Sequence, residues 1–136
     1  MKQGFEVLSH TADLKIRVYG KNLQMLFCNT VKGMFESIGP LGKGEVVVER
    51  SFDIFSHDLP SLLVDFLSEA LYLSDVNGEA YFDVSIDEIT NTRVRGVFRG
   101  VSINNFEMGE IKAVTHHGLR IEERDGAWVA EILFDL

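Results

Sequence analysis

Cysteine is nearly missing from this sequence: Cys28 stands alone. No intramolecular disulfide can form, and a reducing compartment, the cytoplasm, is the expected location. Proline is scarce as well, with Pro40 and Pro60 at expected element edges. No Pro/Gly/Ser-rich linker, repeat or low-complexity tract divides the chain, so one domain over residues 1–136 is expected, with 46% hydrophobic residues to fill a core. Residues 1–9 lack the apolar run of a signal peptide. Nor is there an apolar stretch of the roughly 18 residues that a membrane span needs. Positive charge is in deficit: 13 Lys and Arg face 21 Asp and Glu, a net charge of -8. Such a surface repels a phosphate backbone, so contact with RNA is expected only through another molecule. It suits the basic face of a partner protein, although acidity also serves solubility. Absent too are a Gly-rich phosphate loop, a CxxC pair, an HExxH helix and a GxSxG elbow, which argues against an enzyme.

What is present is a clear periodic pattern. Phe5 and Val7 suggest a short first strand, and from Asp13 the apolar Leu14, Ile16 and Val18 alternate with Lys15, Arg17 and Tyr19, as in a half-buried strand. Asn22 is placed to cap a helix carrying Leu23, Leu26, Phe27, Met34, Phe35 and Ile38 at three- and four-residue spacing, ending at Gly39-Pro40. Asp58, with Pro60 in the first turn, opens a second helix whose stripe is Leu62, Leu63, Phe66, Leu67, Ala70 and Leu71, ending near Asn77-Gly78. The remaining segments read as strands: Val46 to Phe55, one alternating Phe82, Val84 and Ile86, one lined by Arg93, Arg95 and Arg99, then Ile111 to Thr115, Leu119 to Glu123 and Ala127 to Phe134. Asp125-Gly126 predicts a tight hairpin between the last two. Two helices among strands without regular alternation predict an α+β fold, helices packed on a largely antiparallel or mixed multi-stranded sheet.

Several polar residues sit where the pattern would favour apolar ones. Asp65 and Glu69 share a helical face and so have the spacing to offer two carboxylates to one cation, or simply border the stripe and face solvent. His116 and His117 supply a candidate ligand or base, or a structural histidine; as neighbours on a strand they point to opposite faces, so at most one joins a given site. The apolar run Trp128 to Phe134 ends in Asp135 and Leu136, bringing two anionic groups together at a strand end. Either a hard divalent cation compensates them or the end is frayed and solvated.

Four segments in order resemble the archease family. Ser9-His10-Thr11-Ala12-Asp13 entering Leu14 to Gly20 is similar to its N-terminal motif, and Asp58 to Glu69 to its helix with a leucine pair, an aspartate and a glutamate. Lys112 to Leu119 resembles a third motif, in which tyrosine is more usual where His116 stands; Phe134-Asp135-Leu136 resembles the last. The resemblance implies that Asp13, Asp135 and a main-chain or terminal oxygen of Leu136 hold a divalent cation, calcium first, with magnesium and manganese as alternatives. It also implies that His10, Asp65, Lys112 and His117 flank that site or meet a partner. The implied role is non-catalytic: archeases assist the RtcB-type GTP-dependent ligase of tRNA splicing, promoting its guanylylation and repeated turnover and broadening its nucleotide use. Two other readings compete. A general chaperone of protein or protein–nucleic-acid complexes would shield basic partners unselectively, and a metal-dependent hydrolase would turn over phosphoesters by itself.

Overall fold

The computed structural model describes residues 4–9 and 13–136, and the element order is ββαββαβββββ. Strands β1 (Phe5–Ser9), β2 (Asp13–Gly20), β8 (Ala113–Arg124) and β9 (Ala127–Asp135) form one sheet in the order β1-β2-β9-β8. Strands β4 (Val47–Phe55), β5 (Glu79–Ile89) and β6 (Arg93–Ser102) form a second, ordered β4-β6-β5. Strands β3 (Pro40–Leu41) and β7 (Asn105–Phe106) pair as a short ribbon. The expected α+β fold, two helices on a largely antiparallel multi-stranded sheet, is borne out; among the described residues the strands divide between two sheets and a ribbon, and every pairing is antiparallel.

The helices form where the capping residues dictate. In α1 (Leu23–Ile38) the Asn22 side chain accepts the Met25 N–H, and Gly39 closes the end in the left-handed conformation. In α2 (Leu59–Asn77) the Asp58 carboxylate accepts the Ser61 N–H, Pro60 sits in the first turn, and Gly78 terminates. Each helix touches both sheets: α1 lies against β1, β2 and β9 on one side and β5 on the other, and α2 against β8 and against β4, β5 and β6. Helix α1 also covers the free edge of β5, where Gln24 Nε2 and the Cys28 thiol donate to the carbonyls of Ile86 and Val84. The buried faces merge into one core in which the rings of Phe27, Phe52, Phe66, Phe98 and Tyr81 pack in stacked, tilted and edge-to-face pairs.

Strands β5 and β8 depart from the alternation expected of them. A bulge between Tyr81 and Asp83 turns Phe82 outward, 49% exposed, while Ala80 and Tyr81 take the core positions, so the alternation of Phe82 with Val84 and Ile86 does not hold. Gly100 and Gly96 of β6 make the pairing possible, because a Cβ at either would run into the backbone carbonyl of Ala80 or Ser85. The segments at Ile111–Thr115 and Leu119–Glu123, expected as separate strands, belong to one strand, β8. Between Thr115 and Arg120 it takes five steps against the two of β9 from Leu133 to Glu131, so His116, His117 and Gly118 bulge out. The final hairpin turns as expected, with positive φ at both Asp125 and Gly126.

Candidate functional site

The first and last long strands of the four-stranded sheet set the site. Leu14, Ile16 and Val18 of β2 pair with Phe134, Ile132 and Ala130 of β9 on the face turned to the core, and all six are fully buried. A slip of one residue would drive those side chains into solvent, so burial fixes the register. That register places Asp13 directly opposite Asp135. Directly opposed residues of an antiparallel pair project from the same face, so two carboxylates meet at the sheet end, Asp13 half-buried and Asp135 exposed. Ala113 opposes Asp135 from the other side, and the Lys112 N–H donates to the Asp135 carbonyl at 2.7 Å. Leu136 packs against the core just beyond. The end of β9 is therefore held by backbone pairing on both flanks, which disfavours the frayed-end reading.

Among the described residues, no ion pair engages Asp13 or Asp135. Lys15, next along the same face, reaches instead to Glu131 at 3.8 Å. Glu131 is the hub of the outer face. It is 9% exposed and accepts from Arg17 Nε at 2.9 Å, while Arg17 also bonds Glu6 at 2.8 Å and Tyr19 donates to Glu6 at 2.9 Å. The Arg17 hydrogen bond holds the Glu131 carboxyl below the ordinary carboxylate range. This network was not among the sequence candidates, although a single glutamate inside the run from Trp128 to Phe134 is its signal.

The other candidates lie apart from the carboxylate pair. Asp65 accepts from the Ser56 hydroxyl at 2.5 Å, which ties α2 to the segment before it, and Glu69 is half-buried on the next turn. His116 and His117 are both exposed on the β8 bulge, so strand alternation does not separate them there. The His117 N–H donates to Thr115 Oγ1 at 2.8 Å. His116 lies near enough to Asp58 to help hold that carboxyl low, behind the larger effect of the Ser61 hydrogen bonds and together with His57. His10, Thr11 and Ala12 lie outside the described residues. Among the described residues no cluster of three or more His, Cys, Asp and Glu side chains is present, so Asp13 and Asp135 would need backbone, terminal or water oxygens to complete a shell. The pair nonetheless fits a hard cation: its carboxylate donors are all oxygen, and among the described residues neither Asp13 nor Asp135 is ion-paired to the nearby Lys15 or Lys112.

Beside this end lies an open cavity of about 740 Å³ between the C-terminal half of α2 and the segment 103–114. Lys112 and Ala113 belong to both its wall and the sheet end.

Fold and site together define a small α+β protein that displays paired carboxylates at the end of an antiparallel sheet. The model of the Archease protein family (MTH1598/TM1083) matches residues 5–136. The protein archease of Methanosarcina mazei is 34% identical, covering 97% of this chain and 95% of that protein. That of Pyrococcus furiosus is also 34% identical, over 97% and 98%. The solution structure of Methanobacterium thermoautotrophicum protein 1598 superimposes with a TM-score of 0.70 at 31% identity, covering 98% of this chain and 99% of that one. The crystal structure of a Thermotoga maritima archease, described as a possible chaperone, gives 0.66 at 20% identity over 96% of each chain and supports the fold alone. The chain belongs to the archease family.

Proposed function

We propose that this protein is a non-catalytic activator of an RtcB-type GTP-dependent RNA ligase and works through a divalent cation held by Asp13, Asp135 and a main-chain or terminal oxygen of Leu136. The observation that carries the reading is the enforced pairing of Asp13 with Asp135, which brings two carboxylates to one face of the sheet end, where a hard cation would offset their like charge. Calcium is the first choice, with magnesium and manganese as the other hard cations. Bound there, the cation supplies a concentrated positive charge able to engage phosphate or carboxylate oxygens of the partner.

The residues of this chain hold and present that end. Pairing of β9 with β2 and β8 fixes it, and Lys112 sits one residue from Ala113 at the cavity wall. His117 on the bulge and Asp65 on α2 are further partner-facing groups, and His10 precedes Asp13 in the chain. An activator needs no reacting groups of its own; it shifts its partner by binding one conformation more tightly than another. That fits promotion of guanylylation and of repeated turnover, and a broadened use of nucleotides. With a net charge of -8, the chain meets RNA only through the ligase. No helix among the described residues is long and apolar enough to cross a membrane, and the lone Cys28 suits the cytoplasm.

The test is RNA ligation under multiple turnover with a cognate ligase and substoichiometric chain, wild type against Asp13→Ala and Asp135→Ala. A general chaperone is the second reading, favoured by exposed apolar side chains such as Val46, Phe55 and Tyr72. Suppressed aggregation of unrelated proteins, without ligase activation, would select it instead.

A further inference from the structure

The cavity beside the carboxylate end has a composition that none of the roles above uses. Leu71, Ile103 and Phe106 are only partly buried on its wall, Ile38, Ile111 and Val114 close its floor, and Tyr72 stands 61% exposed beside it. Its polar margin carries Asp75 and Glu110 against the single ammonium of Lys112. Among the described residues, no ion pair compensates either carboxylate. The cavity is within the size range of a ligand pocket, but excess negative charge on its margin disfavours a phosphorylated small molecule. An apolar side chain flanked by a cation satisfies both halves of the lining. Ala113 on the cavity wall is also the β8 partner of Asp135, so the cavity lies next to the sheet end that carries the carboxylate pair.

We infer that this cavity is the docking pocket for a segment of the partner protein that inserts an apolar side chain next to a lysine or arginine. The inference rests on the activator reading and names the surface by which that partner is gripped. Apolar burial provides the anchor, while Asp75 and Glu110 select the basic flank. A second copy of this chain would bring its own acidic margin and -8 charge to the contact, which opposes self-association.

The experiment measures the dissociation constant of the full chain with a cognate RtcB-type ligase, for wild type, Tyr72→Ala and the double variant Asp75→Lys/Glu110→Lys. Backbone hydrogen exchange in the complex is followed in parallel. The altered side chains are exposed, so folding should survive, which circular dichroism checks. The expected result is at least about tenfold weaker binding for the double variant and a smaller loss for Tyr72→Ala. New protection should appear across residues 68–78 and 103–114. Wild-type binding that both variants retain, without protection there, would overturn the pocket and leave the activator reading standing. Absence of any wild-type binding would overturn both. Wild-type dimers that Tyr72→Ala dissolves would reassign the pocket to a second copy.

Discussion

Asp13 and Asp135 are held face to face by residues other than themselves, since the buried pairs of Leu14 with Phe134 and Ile16 with Ile132 impose the register. Removing one of the two charges should therefore act oppositely with and without cation. Asp13→Asn is expected to weaken calcium binding by at least about tenfold in calorimetry. It should leave the cation-free fold as stable as before or raise it by up to about 1 kcal/mol, by relieving cross-strand repulsion. Unchanged calcium affinity would show that Asp13 is no ligand. Asp135 stood out in the sequence as a charge ending an apolar run and Asp13 through the resemblance of its motif, and antiparallel register explains why they lie opposite each other. Glu131 was not legible as a hub, because its partner Arg17 lies far away in the chain. Its folded pKa is depressed, so its stabilisation is present above the ordinary carboxylate pKa and is lost as pH falls through the folded value. In urea unfolding between about pH 6 and about pH 3, wild type should accordingly lose more stability than Arg17→Gln. Equal losses would mean that the Arg17 contact does not set this pKa.

At the scale of elements, the helices were readable because their signals are local. Asn22 and Asp58 accept hydrogen bonds three residues on, and Gly39 and Gly78 stop each helix. Asp58→Ala should cost about 1 kcal/mol of unfolding free energy by loss of the cap. The strands were readable only where alternation is unbroken. In β5 the bulge at Tyr81 lies against the close approach of Gly100 from the neighbouring strand, and nothing within residues 79–89 announces it. In β8 the segment around Gly118 looks like a break between strands but is a bulge, because β9 pairs on both sides of it. Gly100→Ala tests the close approach: its Cβ would meet the Ala80 carbonyl, a backbone atom that cannot turn aside. A destabilisation of about 3 kcal/mol is expected from chemical denaturation; a loss below about 1 kcal/mol would show that β5 shifts to make room.

For the whole molecule, the division of strands between two sheets could not be read from the sequence. It depends on β9 choosing β2 and β8, pairings of long and short chain separation that local pattern does not rank. The consequence is functional. The two-sheet arrangement puts the carboxylate pair at one sheet end and the acid-margined cavity next to it, on a chain whose net charge of -8 favours a basic partner. The most direct measurement is the number of RNA ligation turnovers per ligase, with a cognate RtcB-type enzyme, GTP and calcium present, as this protein is added below one equivalent. Turnovers are expected to rise several-fold with wild type and to stay at the ligase-only level with Asp135→Ala; no rise with wild type, or an equal rise with Asp135→Ala, would contradict the account.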